Sequence, residues 1–166
     1  MSKSNIKRIR MFAGPNGSGK TSIYNQAKVA FSTSIFGNAD EIEKALKDGL
    51  TFDNYQLKVK HKELIEFFIS SNFFISKLKE NFKEELNPLA FQIKTNVLSV
   101  NKAHYLNSYF AADIAEFIRQ KLLQIGLSFV LETMMSHESK MAFLKKAKEA
   151  GYRVYLYYVA TEDSRN

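Results

Sequence analysis

Residues 14–21, GPNGSGKT, constrain this chain more than any other stretch. They fit the spacing G-x-x-x-x-G-K-[ST] in full. Glycines let the backbone curl so that successive N–H groups face inward, where they can hold phosphate oxygens. A helix starting near Gly19 would add the positive end of its dipole. Lys20 would then reach the β- and γ-phosphates, and the Thr21 hydroxyl would be placed to ligate Mg2+. Such a loop needs a strand before it and a helix after it. RIRMFA (8–13) reads as a short strand ending at Gly14. Periodicity predicts a helix from Gly19 to about Phe31, with Ile23, Ala27 and Ala30 or Phe31 on one face. The expected nucleotide contacts are Gly14, Pro15, Asn16, Gly17, Ser18, Gly19, Lys20, Thr21 and Ser22, and the expected cofactors are ATP or GTP with Mg2+.

The rest of the sequence continues the alternation. TSIF (33–36) is a second short strand, and NADEIEKAL (38–46) a helix in which Asp40 and Glu43 are spaced as a capping box. A long helix from His104 to about Ile125 carries a stripe of Ala111, Ala112, Ala115, Ile118, Leu122 and Ile125. LSFVLE (127–132) reads as a buried strand, Ser136 as the cap of a helix through Ala150, and YRVYLYYVA (152–160) as an apolar strand with both faces covered. This order predicts an α/β fold of P-loop NTPase or kinase type: a parallel sheet with helices on both faces. Residues 50–100 depart from it. They are rich in Phe, Asn, Lys and Glu, with helical periodicity as far as Pro88 and ambiguous alternation in FQIKTNVLSV (91–100). The block reads as a helical insertion, too short for a core of its own, within a single domain covering 1–166.

A length of 166 residues fits one domain with a real core. The absence of cysteine excludes disulfides, thiolate metal sites and thiol catalysis, and suits a reducing cytoplasm. No apolar run follows the basic start MSKSNIKRIR, so no secretory signal is expected. The most apolar window, LIEFFISSNFFI (64–75), contains Glu66 and is too short to span a bilayer. A net charge of +7 would suit a polyanion or an anionic small substrate. The lysines are scattered rather than clustered, which argues against nucleic acid as the partner.

The loop alone does not name a reaction. The chain has no N-K-x-D base reader of the GTPase kind. A motor-type ATPase usually has an apolar strand ending in Asp, and the comparable strand here ends FVLET. Small-molecule kinases fit best. A kinase needs a carboxylate to orient or deprotonate the acceptor hydroxyl. Asp40 follows the second strand, so it belongs at the carboxyl edge of the sheet where ligands sit; it could equally cap the helix that follows. Glu132 and Thr133 end the third strand at the same edge, either as substrate-side groups or as a solvated strand-end pair. Ser136 reads as a cap and His137 as a surface residue, and a lone histidine makes no metal site. A nucleotide-hydrolysing ATPase without an acceptor, and a non-catalytic remnant that binds nucleotide or a partner, are the alternative readings.

Taken together, RIRMFAGPNGSGKTS, NADEIEKAL and the stretch from SYFAADIAEF through LETMMSH to GYRVYLYYVATED resemble the zeta toxin family of P-loop kinases. More narrowly the chain is similar to small bacterial proteins labelled zeta toxin-like or predicted ABC-type ATPase, from about Arg8 to Asp163. The resemblance implies ATP- or GTP-dependent phosphorylation of a hydroxyl, in the best-known members on a UDP-N-acetyl amino sugar, and a small antitoxin as partner. It implies that Lys20 and Thr21 are the loop's lysine and hydroxyl and that Asp40 activates the acceptor. It further implies that Glu132 is the acidic residue near substrate and metal. Thr133 corresponds to a substrate-binding threonine at a different spacing. In the family a lid with arginines and a further strand follow VATED. Here only SRN follows, with Arg165 past that strand, so a core lacking the lid and last strand is expected, inactive unless those groups are supplied.

Overall fold

The computed structural model describes residues 6–31, 35–70, 91–101, 108–134 and 138–160. In chain order the elements are β1 (Arg8–Ala13), α1 (Lys20–Ala27), a 3-10 turn (Lys28–Ala30), β2 (Phe36–Gly37), α2 (Ala39–Leu46) and β3 (Leu50–Thr51). A second 3-10 turn (Phe52–Tyr55), α3 (His61–Ser70), β4 (Phe91–Lys94), β5 (Val97–Val100), α4 (Ser108–Ile125), β6 (Phe129–Thr133), α5 (Ser139–Glu149) and β7 (Arg153–Tyr158) follow. They fall into two compact units: Met1–Asn38 with Leu122–Asn166, and Ala39–Lys121.

The first unit is built on β1. Ile9, Met11, Phe12 and Ala13 are all buried, as a strand covered on both faces requires. β1 pairs parallel with β6 on one side and β7 on the other, and β2 pairs parallel with β6, giving the order β2-β6-β1-β7. The register places Arg10 level with Val130 and Tyr155, and Phe12 level with Glu132 and Tyr157. Those residues share one face. α1 lies on it: Tyr24 meets Phe12 edge-on, with ring centroids 6.0 Å apart, and stacks on Phe36 at 4.0 Å. On the other face Phe129 meets Phe143 of α5 and Tyr152. The expected parallel sheet with helices on both faces is therefore what forms.

Three expectations about packing need correction. Along α1 the buried side chains are Lys20 and Tyr24, while Ile23 is exposed. The loop fixes Lys20 and Thr21 at the sheet edge, and Tyr24, one turn on, is carried onto the sheet. Along α4, Ala111, Ala115, Ile118 and Leu122 of the expected stripe are buried, but Ala112 and Ile125 are exposed, and Phe110, Ile114 and Phe117 widen the buried face. β7 stands at the sheet edge among the described residues, and Leu156, Tyr157 and Tyr158 are exposed rather than covered. The expected cap Ser136 lies outside the described residues.

The second unit is not simply helical. β3, β5 and β4 form a three-stranded antiparallel sheet in the order β3-β5-β4. β4 and β5 are a hairpin whose two turn residues, Thr95 (φ 51°) and Asn96 (φ 64°), both have positive φ. This is the turn whose twist matches that of paired strands. Phe68 of α3 packs on Phe91 and stacks on Phe110, while Phe52 and Phe67 both meet Phe117. The block at 50–100 thus has a buried aromatic cluster, but it needs α2 and α4 to complete it. Arg119 of α4 is buried and bonded to Glu116 one turn back.

Candidate functional site at the edge of the parallel sheet

The chain leaves β1 at Ala13 and enters the glycine loop between the ends of two neighbouring strands. The Gly14 N–H donates to the Thr133 carbonyl at 3.3 Å, and the Val159 N–H donates to the Ala13 carbonyl at 2.7 Å. This closeness dictates the residue at position 14. Gly14 has φ 152°, and a Cβ there would lie 2.2 Å from the Val159 carbonyl oxygen. The loop turns back through Gly17 (φ 75°) and Gly19 (φ 83°) and hands over to α1. Gly19 is the N-cap and brings no side chain, so the first turn of α1 has no side-chain cap. Its orphan N–H groups are the kind that an anion satisfies.

Lys20 is 5 % exposed, and its Nζ donates to the carbonyls of Gly14 (2.9 Å) and Pro15 (2.6 Å). An ammonium has three donors, so one remains after the two loop carbonyls. The Ser18 hydroxyl is buried in the loop with no hydrogen-bond partner. Pro15, Asn16, Gly17 and Ser22 are exposed.

In the first turn of α1, the Thr21 hydroxyl donates to Glu132 Oε2 at 2.8 Å. The same oxygen accepts from the Asn38 amide Nδ2 at 3.2 Å. The sheet register explains the meeting. Glu132 is level with Phe12 on the face that α1 covers, and Thr21 sits one turn before Tyr24 on the same helix. Residues three apart on a helix lie on the same side. Thr133 points from the other face and contributes its carbonyl to Gly14. Asn38 is the residue that sequence reasoning passed over. Its signal was its place directly after a strand that pairs with β6, which only the register reveals.

Asp40 is the second residue of α2 and exposed. The helix begins at Ala39, so Asp40 lies in the first turn rather than at the cap position, where an acidic side chain favours the dipole. It belongs to the second unit, whereas the loop, Asn38, Glu132 and Thr133 belong to the first.

The donor set suits a phosphate-bound Mg2+. Among the described residues no group of three His, Asp or Glu could form an all-protein cage. Mg2+ at nucleotide sites takes one or two protein oxygens and completes its shell with phosphates and water. The adjoining Thr21 and Glu132 oxygens would fit that complement.

A parallel sheet with helices on both faces, and a Gly-rich loop running from its first strand into a helix, define an α/β protein of the P-loop type. The relatives narrow this. Residues 86–165 match the sequence family described as Zeta toxin, and over that stretch the chain is similar to that family. That stretch includes Glu132 and Thr133; the glycine loop and Asp40 lie before it. A solved structure from the PezAT chromosomal toxin–antitoxin system of the human pathogen Streptococcus pneumoniae superposes with a TM-score of 0.54 at 17% identity, covering 96% of this chain and 50% of that one. The likeness is one of fold, and this chain spans half the length of that relative. No curated protein sequence matches significantly. Among the described residues, no helix is long and apolar enough to cross a membrane.

Proposed function

We propose that this chain is the nucleotide-binding core of a phosphotransferase that moves the terminal phosphoryl group of ATP or GTP to a hydroxyl, with Mg2+. The observation that carries the reading is the Thr21–Glu132 hydrogen bond beside the buried Lys20. It joins the loop's hydroxyl to a carboxylate at the sheet edge where a metal–phosphate complex would rest. The N–H groups between Asn16 and Ser22 would hold the phosphates, and Lys20 would turn from the loop carbonyls to the transferring group. Bound Mg2+ would neutralise phosphate charge and orient the group in line. Thr21 would hold the metal, Glu132 would orient the Thr21 hydroxyl, and Thr133 would serve the acceptor side. Asp40 is assigned by the family resemblance to the acceptor proton. The acceptor class suggested by that resemblance is a UDP-N-acetyl amino sugar, the partner a small antitoxin, and the compartment the cytoplasm.

The test is incubation with Mg2+, ATP or GTP labelled at the terminal phosphate, and a panel of UDP-sugars, with and without Asp40→Asn. A labelled sugar that disappears in the Asp40→Asn protein while nucleotide binding persists supports the proposal. Free phosphate without a labelled sugar favours the nucleotide hydrolase. If neither ATP nor GTP binds in Mg2+, the phosphotransferase reading is wrong.

A further inference from the structure

Asn38 is 7 % exposed, one of few polar side chains buried among the described residues of the first unit. It follows β2, whose Phe36 and Gly37 are level with Val130 and Leu131 of β6. One residue further along, Asn38 comes level with Glu132. A carboxylate only accepts hydrogen bonds, so the amide nitrogen must be the atom that faces it. Glu132 Oε2 therefore takes two donors, Asn38 Nδ2 at 3.2 Å and Thr21 Oγ1 at 2.8 Å. A glutamate side chain has three free torsions, and one hydroxyl donor does not fix them. A second donor from a neighbouring strand does, and it leaves the other carboxylate oxygen uncommitted to Thr21 or Asn38.

We infer that Asn38 is a positioning residue for the Mg2+–phosphate site: its amide holds Glu132 in the rotamer that orients Thr21 toward the metal. This rests on the phosphotransferase reading above. Partners that orient metal ligands typically change metal affinity by about 10- to 100-fold when removed. Asn38 also directly precedes α2, where an asparagine often serves as a cap. Asn38→Asp separates the two roles. Aspartate caps as well as asparagine does and has the same shape, but it removes the donor and sets a second carboxylate against Glu132.

The experiment is titration of ATP by calorimetry, in excess Mg2+ and in EDTA, for the wild type, Asn38→Ala and Asn38→Asp, with thermal melts of each. The expected result is that Asn38→Asp folds but melts below the wild type, because it sets a buried carboxylate against Glu132, binds ATP within about twofold of the wild type in EDTA, and is weakened about tenfold or more in Mg2+. Asn38→Ala should show a smaller loss of the same kind. If Asn38→Asp keeps the full gain from Mg2+, or loses affinity equally in both buffers, the inference is overturned. If the wild type itself gains nothing from Mg2+, the phosphotransferase reading fails first and takes this one with it. Should Asn38→Ala fail to fold, the Asn38→Asp comparison still decides.

Discussion

The loop at 14–21 and the turn at 95–96 both use the left-handed region of backbone space, and they treat their polar groups in opposite ways. At the hairpin turn, the Asn96 side chain is committed internally. Its Nδ2 donates to Asp53 Oδ1 (2.8 Å) and to the Leu57 carbonyl (2.7 Å), and its Oδ1 accepts from the Val59 N–H (2.9 Å). These bonds tie residues some forty positions away to the turn, so the positive φ is held by structure on all sides. In the loop the same backbone region is reached with Gly17 and Gly19. Open space lies where their side chains would be, and the helix that follows has no side-chain cap. An unusual φ thus does not mark a site by itself. What distinguishes the two is what is left over: at the turn both polar ends of Asn96 are committed internally, whereas past the loop the first-turn N–H groups of α1 have no side-chain cap and Lys20 keeps a third donor beyond its two loop carbonyls.

The comparison breaks most severely at Gly14. Gly14→Ala forces a Cβ to within 2.2 Å of the Val159 carbonyl at a φ of 152°. Neither backbone can yield without parting β1 from β7, so the unfolding free energy should fall by about 3 kcal/mol or more. A denaturant melt measures this, and an unchanged midpoint would show that the close approach is absent. Lys20→Ala should act in the reverse way, with a smaller stability loss than Gly14→Ala, from its two bonds to loop carbonyls, but a nucleotide affinity lower by about 10- to 100-fold, the loss of one charge-assisted hydrogen bond. Equal affinity in the two proteins would remove the lysine from the phosphate site. At the structural turn, Asn96→Ala removes three hydrogen bonds and should cost about 2 kcal/mol of stability. Asn96→Gly, which relieves the positive φ while losing the same bonds, should cost less. Neither should alter ATP binding in Mg2+, and a tenfold change in it would dissolve the contrast between the two regions.

What could be read from the sequence follows the range of the interactions. The loop is legible because its function depends on eight consecutive residues, and the strand–helix alternation because hydrophobic periodicity is local. Glu132 was legible as the end of an apolar strand. Asn38 was not, because its meaning depends on the register of β2 against β6. The buried face of α1 was misread for a similar reason: the loop, not the apolar spacing of Ile23 and Ala27, sets the phase that buries Tyr24. The hairpin at 91–100 stayed ambiguous because its turn is Thr95-Asn96 rather than a glycine pair. The contacts that stabilise it come from residues 53–59.

The smallest effect sharpens the distinction between neutral and charged internal bonds. Glu63, at the start of α3, accepts from Lys121 Nζ through one oxygen and from the Lys60 N–H at 2.8 Å through the other. The Lys121 hydrogen bond, then that of the Lys60 backbone, hold its carboxyl below the usual value of 4.5. A depressed carboxyl contributes stability that is fully present above the unfolded value and is lost as pH falls through the folded one. The loss therefore falls below about pH 4.5. The Glu63 side chain is 33% exposed and its lysine partner 24%, so solvent screening still reduces the contribution to about a few tenths of a kcal/mol. Asp53 titrates in the same direction, held low first by Lys58 and then by Asn96. The informative quantity is therefore the difference between wild type and Glu63→Gln in stability measured from pH 6 to pH 3. That difference should shrink below pH 4.5 and also shrink in high salt, because it belongs to an ion pair. The loss caused by Asn96→Gly should change far less with salt, because two of the three bonds it breaks join neutral groups. If both losses respond to salt alike, the turn is held chiefly through the Asp53 charge, and the comparison must be redrawn around that carboxylate.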